Sequence, residues 1–254
     1  MKTEILYEDN SILVIRKPAG LAVQSAGIGQ ADVISELKSY LAKLPDAGRP
    51  GKGEPYLGIV HRLDQPVEGL LVFAKDKKAA ATLSKQLTEG ALNKHYYAVL
   101  CGYPDCPEGD LVDYLRKEGN VAVAVTGREQ EFADAKIATL HYRILEEIND
   151  PSPLALADVT IGTGRFHQIR VQFAHAGFPL FGDTKYGMAA LKEAMPAQKY
   201  RGVALCAYSL ELVHPVSGKK MGFRVVPKNP AFAGFAMEEL KKLTENETGI
   251  SKRG

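Results

Sequence analysis

The sequence predicts a mixed α+β fold, and three observations carry that expectation. Short β-like runs dominate the 254 residues without the strand–helix–strand alternation of a doubly wound sheet. Leu70, Leu71, Val72, Phe73 and Ala74 make a continuous apolar run bounded by turn residues, the mark of a strand buried on both faces. Other segments open on Asp32, Asp76 or Asn229 and repeat their apolar residues at helical spacing.

Taken in order, Ile5–Tyr7 and Ile12–Ile15 read as strands of a hairpin turned by Glu8-Asp9-Asn10-Ser11, and Lys17-Pro18-Ala19-Gly20 ends the second. Asp32 caps a helix carrying Val33, Ile34, Leu37, Leu41 and Leu44, which Pro45 stops before a Pro- and Gly-rich loop over 45–55. A short strand ends at Val60, and the buried run follows Pro66 and Gly69. Asp76 then caps a helix with Ala79, Ala80, Leu83 and Leu87, ended by Gly90. Strands are expected near 95–101, 111–115, 136–145 and 154–161. In the third of these, Ala138, Leu140, Tyr142 and Ile144 alternate with polar residues. Two glycines lead into a helix with Phe166, Ile169, Phe173 and Ala174 on one side, stopped at Gly177. A late hairpin spans 204–213 and 220–226, and Asn229-Pro230 opens a C-terminal helix with Phe232, Phe235, Ala236, Leu240 and Leu243 on its stripe. No repeat or linker interrupts this pattern. One domain over residues 1–243 with a frayed polar tail at 244–254 is the expected organisation.

Composition narrows the function classes. Hydrophobic residues at 45% and charged residues at 24% are ordinary for a globular protein. A net charge of +2 gives no global attraction to nucleic acid, so any basic surface is local. The pairs Arg16-Lys17 and Lys77-Lys78 read as solvated. Cys101, Cys106 and Cys206 make an odd set without a Cys-x-x-Cys pair, against a disulfide framework or zinc site. The first residues lack a signal-peptide core, and no stretch approaches the ~20 apolar residues of a membrane span. A cytoplasmic protein is expected.

Two polar clusters hold the chemistry. In the first, His61, Arg62 and Asp64 stand between two apolar runs, so a carboxylate lies at the mouth of buried strands two residues from an arginine. By itself this suits a turn former or half of a structural ion pair as well as a reactive group. In the second, Thr160-Ile161-Gly162-Thr163-Gly164-Arg165-Phe166-His167-Gln168-Ile169-Arg170 places Arg165, Gln168 and Arg170 about a helix start, where backbone N–H groups favour an anion. There is no Gly-Lys-Ser/Thr of a P-loop and no Gly-x-Ser-x-Gly elbow. His167 and His175 have no acidic partner at zincin spacing, so no metal site is expected.

Together these clusters resemble the RluA-type family of pseudouridine synthases. His61-Arg62-Leu63-Asp64 with Gly69 to Lys75 is similar to the family's catalytic-loop signature. Gly164 to Arg170 followed by Gly182-Asp183-Thr184-Lys185-Tyr186-Gly187 resembles its second, and Lys94-His95-Tyr96 its third. Ile5 to Asp9 and Lys17-Pro18-Ala19-Gly20 also match, so the resemblance spans roughly residues 5–226. It begins too early for the S4-type RNA-binding module that many members carry, which is expected to be absent. Two departures stand out: Val67-Glu68 where the family usually has Thr-Ser, and Cys206 within its Leu-His-Ala run.

The resemblance implies a mixed, mostly antiparallel sheet flanked by helices and loops. It also implies isomerisation of a specific uridine in ribosomal or transfer RNA to pseudouridine, without a cofactor. Asp64 would be the catalytic carboxylate, attacking the ribose or assisting glycal formation. Tyr96 would stack on the base and act on the C5 proton, and Arg165 would pair with and orient Asp64. Leu205 would wall the pocket. Arg62, with His61, Gln168 and Arg170, would bind substrate, the uridine being flipped from its stack. RNA is the expected partner, with no DNA and no membrane, and a monomer is compatible. The principal alternative is a non-catalytic RNA-binding protein on the same fold. A hydrolase using His61 or His167 lacks an acid–base pair, and a dinucleotide oxidoreductase lacks Gly-x-Gly-x-x-Gly after its first strand.

Overall fold

The computed structural model describes residues 1–237 apart from 26, 28, 45–53, 127–133, 150–151 and 188–201. The chain divides into two compact units. One comprises Met1–Lys94 and Ala207–Val225, the other His95–Cys206 and the residues from Val226 on.

The first unit is built on β1 (Glu4–Glu8) and β2 (Ile12–Lys17), an antiparallel hairpin. Asp9 shapes its turn by accepting the N–H groups of Ser11 at 2.7 Å and Ile12 at 2.8 Å. Every residue of β2 is buried, and so is every residue of β4 (Glu68–Ala74), which pairs antiparallel with it from Lys17 opposite Gly69 to Ile12 opposite Ala74. This is the doubly covered strand that the apolar run predicts. The short β3 (Gly58–Ile59) also pairs with β4. Next to β4 in strand order lies β10 (Leu205–Val213), which pairs antiparallel with β11 (Lys220–Arg224).

Both helices of this unit begin where their caps predict. Asp32 accepts the Ser35 N–H at 2.7 Å at the head of α1 (Val33–Leu41), whose Val33, Leu37 and Leu41 are buried. Asp76 accepts the Ala79 N–H at 2.8 Å at the head of α2 (Lys77–Thr88), and Gly90 takes a left-handed φ just beyond it. Gln86 of α2 exchanges hydrogen bonds with the Val213 backbone at 2.7 and 2.8 Å, fixing the end of β10 to the helix.

The second unit holds β5 (Asn93–Cys101), β6 (Glu108–Glu118), β7 (Val121–Ala124), β8 (Lys136–Ile148) and β9 (Leu154–Ile161), in the spatial order β5-β9-β8-β6-β7. All four pairings are antiparallel. Against β6 and β7 packs α3 (Gln168–His175), with Leu115, Ala122, Ala138 and Val171 forming a small core beside Tyr186.

Four expectations need correction. Arg16 and Lys17 are buried rather than solvated, because β2 is covered on both faces. The helix after Gly164 starts only at Gln168. Phe166 therefore lies outside it and stays 37% exposed, and His167 takes a left-handed conformation with φ 53°. The hairpin joining β6 to β7 was not foreseen. Finally, Pro230–Phe232 is a single 3-10 turn rather than the start of an α-helix, although Phe232 and Phe235 are buried as the stripe requires. Gly234 weakens helix continuation there, and Met237 takes φ 47°. Leu240, Leu243, Pro45 and the 244–254 tail lie outside the described residues. No helix among the described residues is long and apolar enough to cross a membrane.

Candidate active site

In the first unit, Asp64 lies half-buried on the loop between β3 and β4. The Val67 N–H donates to the Asp64 carbonyl at 3.1 Å and closes a turn around Gln65-Pro66. The segment after β2 clasps that turn. The carbonyl of Gln65, next to Asp64, accepts the Gly20 N–H at 2.8 Å and a proton of the Lys17 ammonium at 3.0 Å, while the Gln65 side chain donates back to Gly20 at 3.1 Å. The Lys17 ammonium also donates to the carbonyls of Pro18 at 3.0 Å and Leu21 at 2.7 Å. All three of its protons are thereby directed at backbone oxygens. Burial pushes the Lys17 pKa down to about 7, against the opposing pull of the Asp64 and Glu68 charges.

Glu68 opens β4 and is buried, its carboxylate 3.6 Å from the guanidinium of Arg16. Gly69 follows at φ +128°. A Cβ there would lie 2.5 Å from the Ala207 nitrogen and 2.8 Å from its carbonyl carbon, so only glycine fits this close approach. Of the other predicted residues on this loop, Arg62 is exposed and His61 is buried. The imidazole of His61 is pushed down to about 3 by burial and by the Lys94 charge, so it is neutral at physiological pH. Its Nε2 accepts the Val72 N–H at 3.4 Å. A neutral, enclosed ring supports the loop but offers no positive charge to a phosphate.

In the second unit, Tyr96 lies on β5 opposite Val159 with its ring largely buried, and Leu205 opens β10, also buried. Arg165 is half-buried just beyond β9. Its Nε donates to the Ile137 carbonyl at 2.9 Å, which orients the guanidinium along the end of β8. Gln168 organises this turn: its Oε1 accepts the Arg165 backbone N–H at 2.9 Å and the Thr163 hydroxyl at 2.8 Å, and its amide donates to the Thr139 carbonyl at 2.9 Å. Arg170 is buried and forms a two-pronged pair with Asp183, Nε to Oδ2 at 2.7 Å and Nη2 to Oδ1 at 2.8 Å. Gln168 and Arg170 are thus engaged inside the protein, behind Arg165.

The left-handed His167 is secured from both sides. Its ring stacks on Phe166 at 3.7 Å between centroids, and its Nδ1 lies 2.7 Å from the Tyr186 hydroxyl, which itself accepts the Ala122 N–H at 2.8 Å. Lys117 stands over the Phe166 ring at 4.9 Å from its centroid. The 182–187 segment therefore braces the start of α3 twice, through Asp183 and through Tyr186. The part played by Lys17 was missed in the sequence. Its one signal was a lysine that follows Arg16 at the end of the apolar run Ile12–Ile15 and directly precedes Pro-Ala-Gly. Among the described residues no group of three or more His, Cys, Asp or Glu side chains could hold a metal ion.

The sequence profile of the RNA pseudouridylate synthases matches residues 11–175, which include Asp64, Tyr96 and Arg165. An uncharacterized RNA pseudouridine synthase of Synechocystis sp. is 38% identical over 85% of this chain and 63% of its own length. Ribosomal large subunit pseudouridine synthase D of Pseudomonas aeruginosa is 36% identical over 87% of this chain and 67% of its own. The chain thus spans about two thirds of the length of these relatives. Among solved structures, human RNA pseudouridylate synthase domain containing 4 has the same fold. Its TM-score is 0.68 at 24% identity, over 94% of this chain and 93% of that one. The chain belongs to the RNA pseudouridylate synthase family.

Proposed function

We propose that this chain is an RNA pseudouridine synthase acting on a uridine of ribosomal RNA. The observation that carries this reading is Asp64. It lies within the segment that matches the family, on a loop whose next residue is clasped by Lys17 and Gly20. A carboxylate carried on a backbone turn held in this way suits a reaction whose barrier falls with correct placement of the reacting groups. In the reaction the bond from uracil N1 to ribose C1′ breaks, the base turns, and a bond from C5 to C1′ forms. The C5 proton leaves and N1 gains one, so the change is an isomerisation needing no oxidant or reductant.

In this reading Asp64 acts at the ribose and Arg165 serves as the cation for that carboxylate. Tyr96 stacks on the base and takes part in removing the C5 proton. Such stacking is worth ~1–3 kcal/mol per base. Leu205 lines the base site. Exposed Arg62 meets the RNA backbone, whereas His61, Gln168 and Arg170 work from behind as supports. The target must be extruded from its stack, which costs least in a single-stranded loop. Ribosomal RNA is favoured over transfer RNA by the names of relatives such as that of Pseudomonas aeruginosa. A ribosomal substrate supports a cytoplasmic location.

The test is to map pseudouridine in ribosomal and transfer RNA from cells lacking the gene, by carbodiimide labelling and primer extension. The expected result is one or a few large-subunit positions lost and restored by the wild-type gene. Loss confined to transfer RNA would contradict the ribosomal assignment. An unchanged map would contradict the activity.

A further inference from the structure

Phe166 stands where neither the core nor α3 requires an aromatic ring. Ile169 and Phe173 of its expected stripe are buried, whereas Phe166 is 37% exposed. One face of its ring is closed by the His167 imidazole, nearly parallel at 22° and 3.7 Å away between centroids. The ammonium of Lys117, an exposed side chain, stands over the other face at 4.9 Å from the centroid. The backbone that sets this position is strained: His167 holds φ 53°, a conformation that persists only where its surroundings over-determine it. Here the Tyr186 hydroxyl holds the imidazole at 2.7 Å and the Phe166 ring covers it. A solvent-facing aromatic is thereby fixed directly beside Arg165, within the same unit.

The charges around the ring suit a polyanion. Lys136 pairs with Leu115, two residues before Lys117, so both exposed lysines project from one face of the β6–β8 pair. Arg165 is tied to the carbonyl of Ile137, the residue after Lys136. The acids of β6 nearby are already engaged, Asp113 by Gln172 at 2.9 Å and His175 at 2.7 Å, and Glu118 by Arg116 at 2.6 Å. An aromatic ring set among cations is how proteins hold unpaired RNA, with bases on the ring and phosphates on the cations.

We infer that Phe166, backed by His167, is a stacking platform for an unpaired base flanking the target uridine, with Lys117 on the phosphate of that nucleotide. The inference rests on the reading of Arg165 as part of an RNA-modifying site. The arriving base displaces the Lys117 ammonium from the ring, and the lysine turns to the phosphate. A cation–π contact at an exposed site is weaker than a base stack, so the exchange is favourable. Every base has a stacking face, so the platform fixes where the strand lies rather than reading its sequence.

The chain has no tryptophan, so Phe166→Trp puts a single indole at the platform while keeping an aromatic ring there. The experiment titrates this variant with ribosomal RNA from cells lacking the gene and follows indole emission. Quenching on binding is expected. Val112→Trp, on the opposite face of β6 and also exposed, should respond far less. Bound RNA that leaves the Phe166→Trp emission unchanged, or equal quenching in both variants, would overturn the inference.

Affinity gives the second readout. Phe166→Leu should weaken filter binding of the same RNA roughly 5- to 150-fold, with the salt dependence unchanged. Lys117→Gln should lower the slope of log affinity against log salt by about 0.7, the value for one phosphate of a single strand. A Phe166→Leu variant that binds as wild type but turns over more slowly would make the ring only a support for Arg165 and overturn the platform. So would a loss confined to Lys117→Gln, the mark of a phosphate contact without stacking. Indole quenching without tritium release from C5-labelled RNA would count against the proposed activity and leave the platform standing.

Discussion

Removing the guanidinium of Arg170 should unfold this protein more readily rather than weaken its hold on RNA. Arg170 and Asp183 make two bonds of 2.7 and 2.8 Å, with side-chain exposures of 5% and 0%. Arg170→Met keeps most of the apolar stem but strands the carboxylate inside the protein. Breaking one side of such a buried pair costs ~3–5 kcal/mol. Asp183 Oδ1 keeps the N–H groups of Lys185 at 3.0 Å and Tyr186 at 3.3 Å, which places the expectation at the lower end. A chain of this size loses ~2–4 °C in Tm per kcal/mol, so a cost of ~3 kcal/mol means a fall of ~6–12 °C. Urea unfolding followed by circular dichroism gives the free energy, and filter binding at low temperature gives the RNA affinity of the folded fraction. A loss below ~1 kcal/mol joined to a large loss of affinity would refute the buried-support role and make Arg170 a direct substrate contact.

Two further outcomes follow from unit geometry. Gly69→Ala should cost at least ~3 kcal/mol, since it combines φ +128° with a Cβ pressed onto the Ala207 backbone. Gly90→Ala has a positive φ but open space and should cost only ~1–2 kcal/mol, so equal urea midpoints for the two would contradict the close approach. Asp9 gives a pH prediction. Burial raises its pKa, but bonds from Ile12, Ser11, His214 and Tyr7 outweigh this and hold it below the ordinary value. Because the folded pKa is the lower one, this stability is fully present above the unfolded value near 4 and is lost as pH falls through the folded value. Asp9→Asn should therefore destabilise by ~1–3 kcal/mol at pH 7, and the gap to wild type should close below about pH 4. A gap that stays constant down to pH 2.5 would show that the charge of Asp9 contributes nothing.

How far the sequence foretold the structure depended on whether the deciding contact was local. Asp32 and Asp76 announced their helices because a cap bonds to a backbone N–H three residues away. The buried β4 was legible because a strand covered on both faces is apolar throughout. The hairpin of β6 and β7 was missed although Gly119 and Asn120 form a two-residue turn, because β6 carries Asp110, Asp113, Arg116 and Lys117 and lacks a long apolar run. The start of α3 was placed too early because Gly164-Arg165-Phe166-His167 has no residue that requires a break. Its left-handed His167 is held by Tyr186, 19 residues further on. Likewise, nothing local could place Lys17 on the carbonyl of Gln65, 48 residues away. Each residue type around Asp64 was legible, whereas Lys17 and Gly20, which hold its turn, are brought there by tertiary packing.

The most direct measurement is tritium release from C5-labelled total RNA of cells lacking the gene, comparing wild type with Asp64→Asn. The two side chains are close in size, so the comparison isolates the carboxylate. The expected result is release by wild type and a loss of at least about a thousandfold in Asp64→Asn, roughly 4 kcal/mol of barrier, with RNA binding and Tm retained. Normal turnover by Asp64→Asn would contradict the catalytic role of Asp64. RNA binding by wild type without any release would leave a non-catalytic RNA-binding protein on this fold.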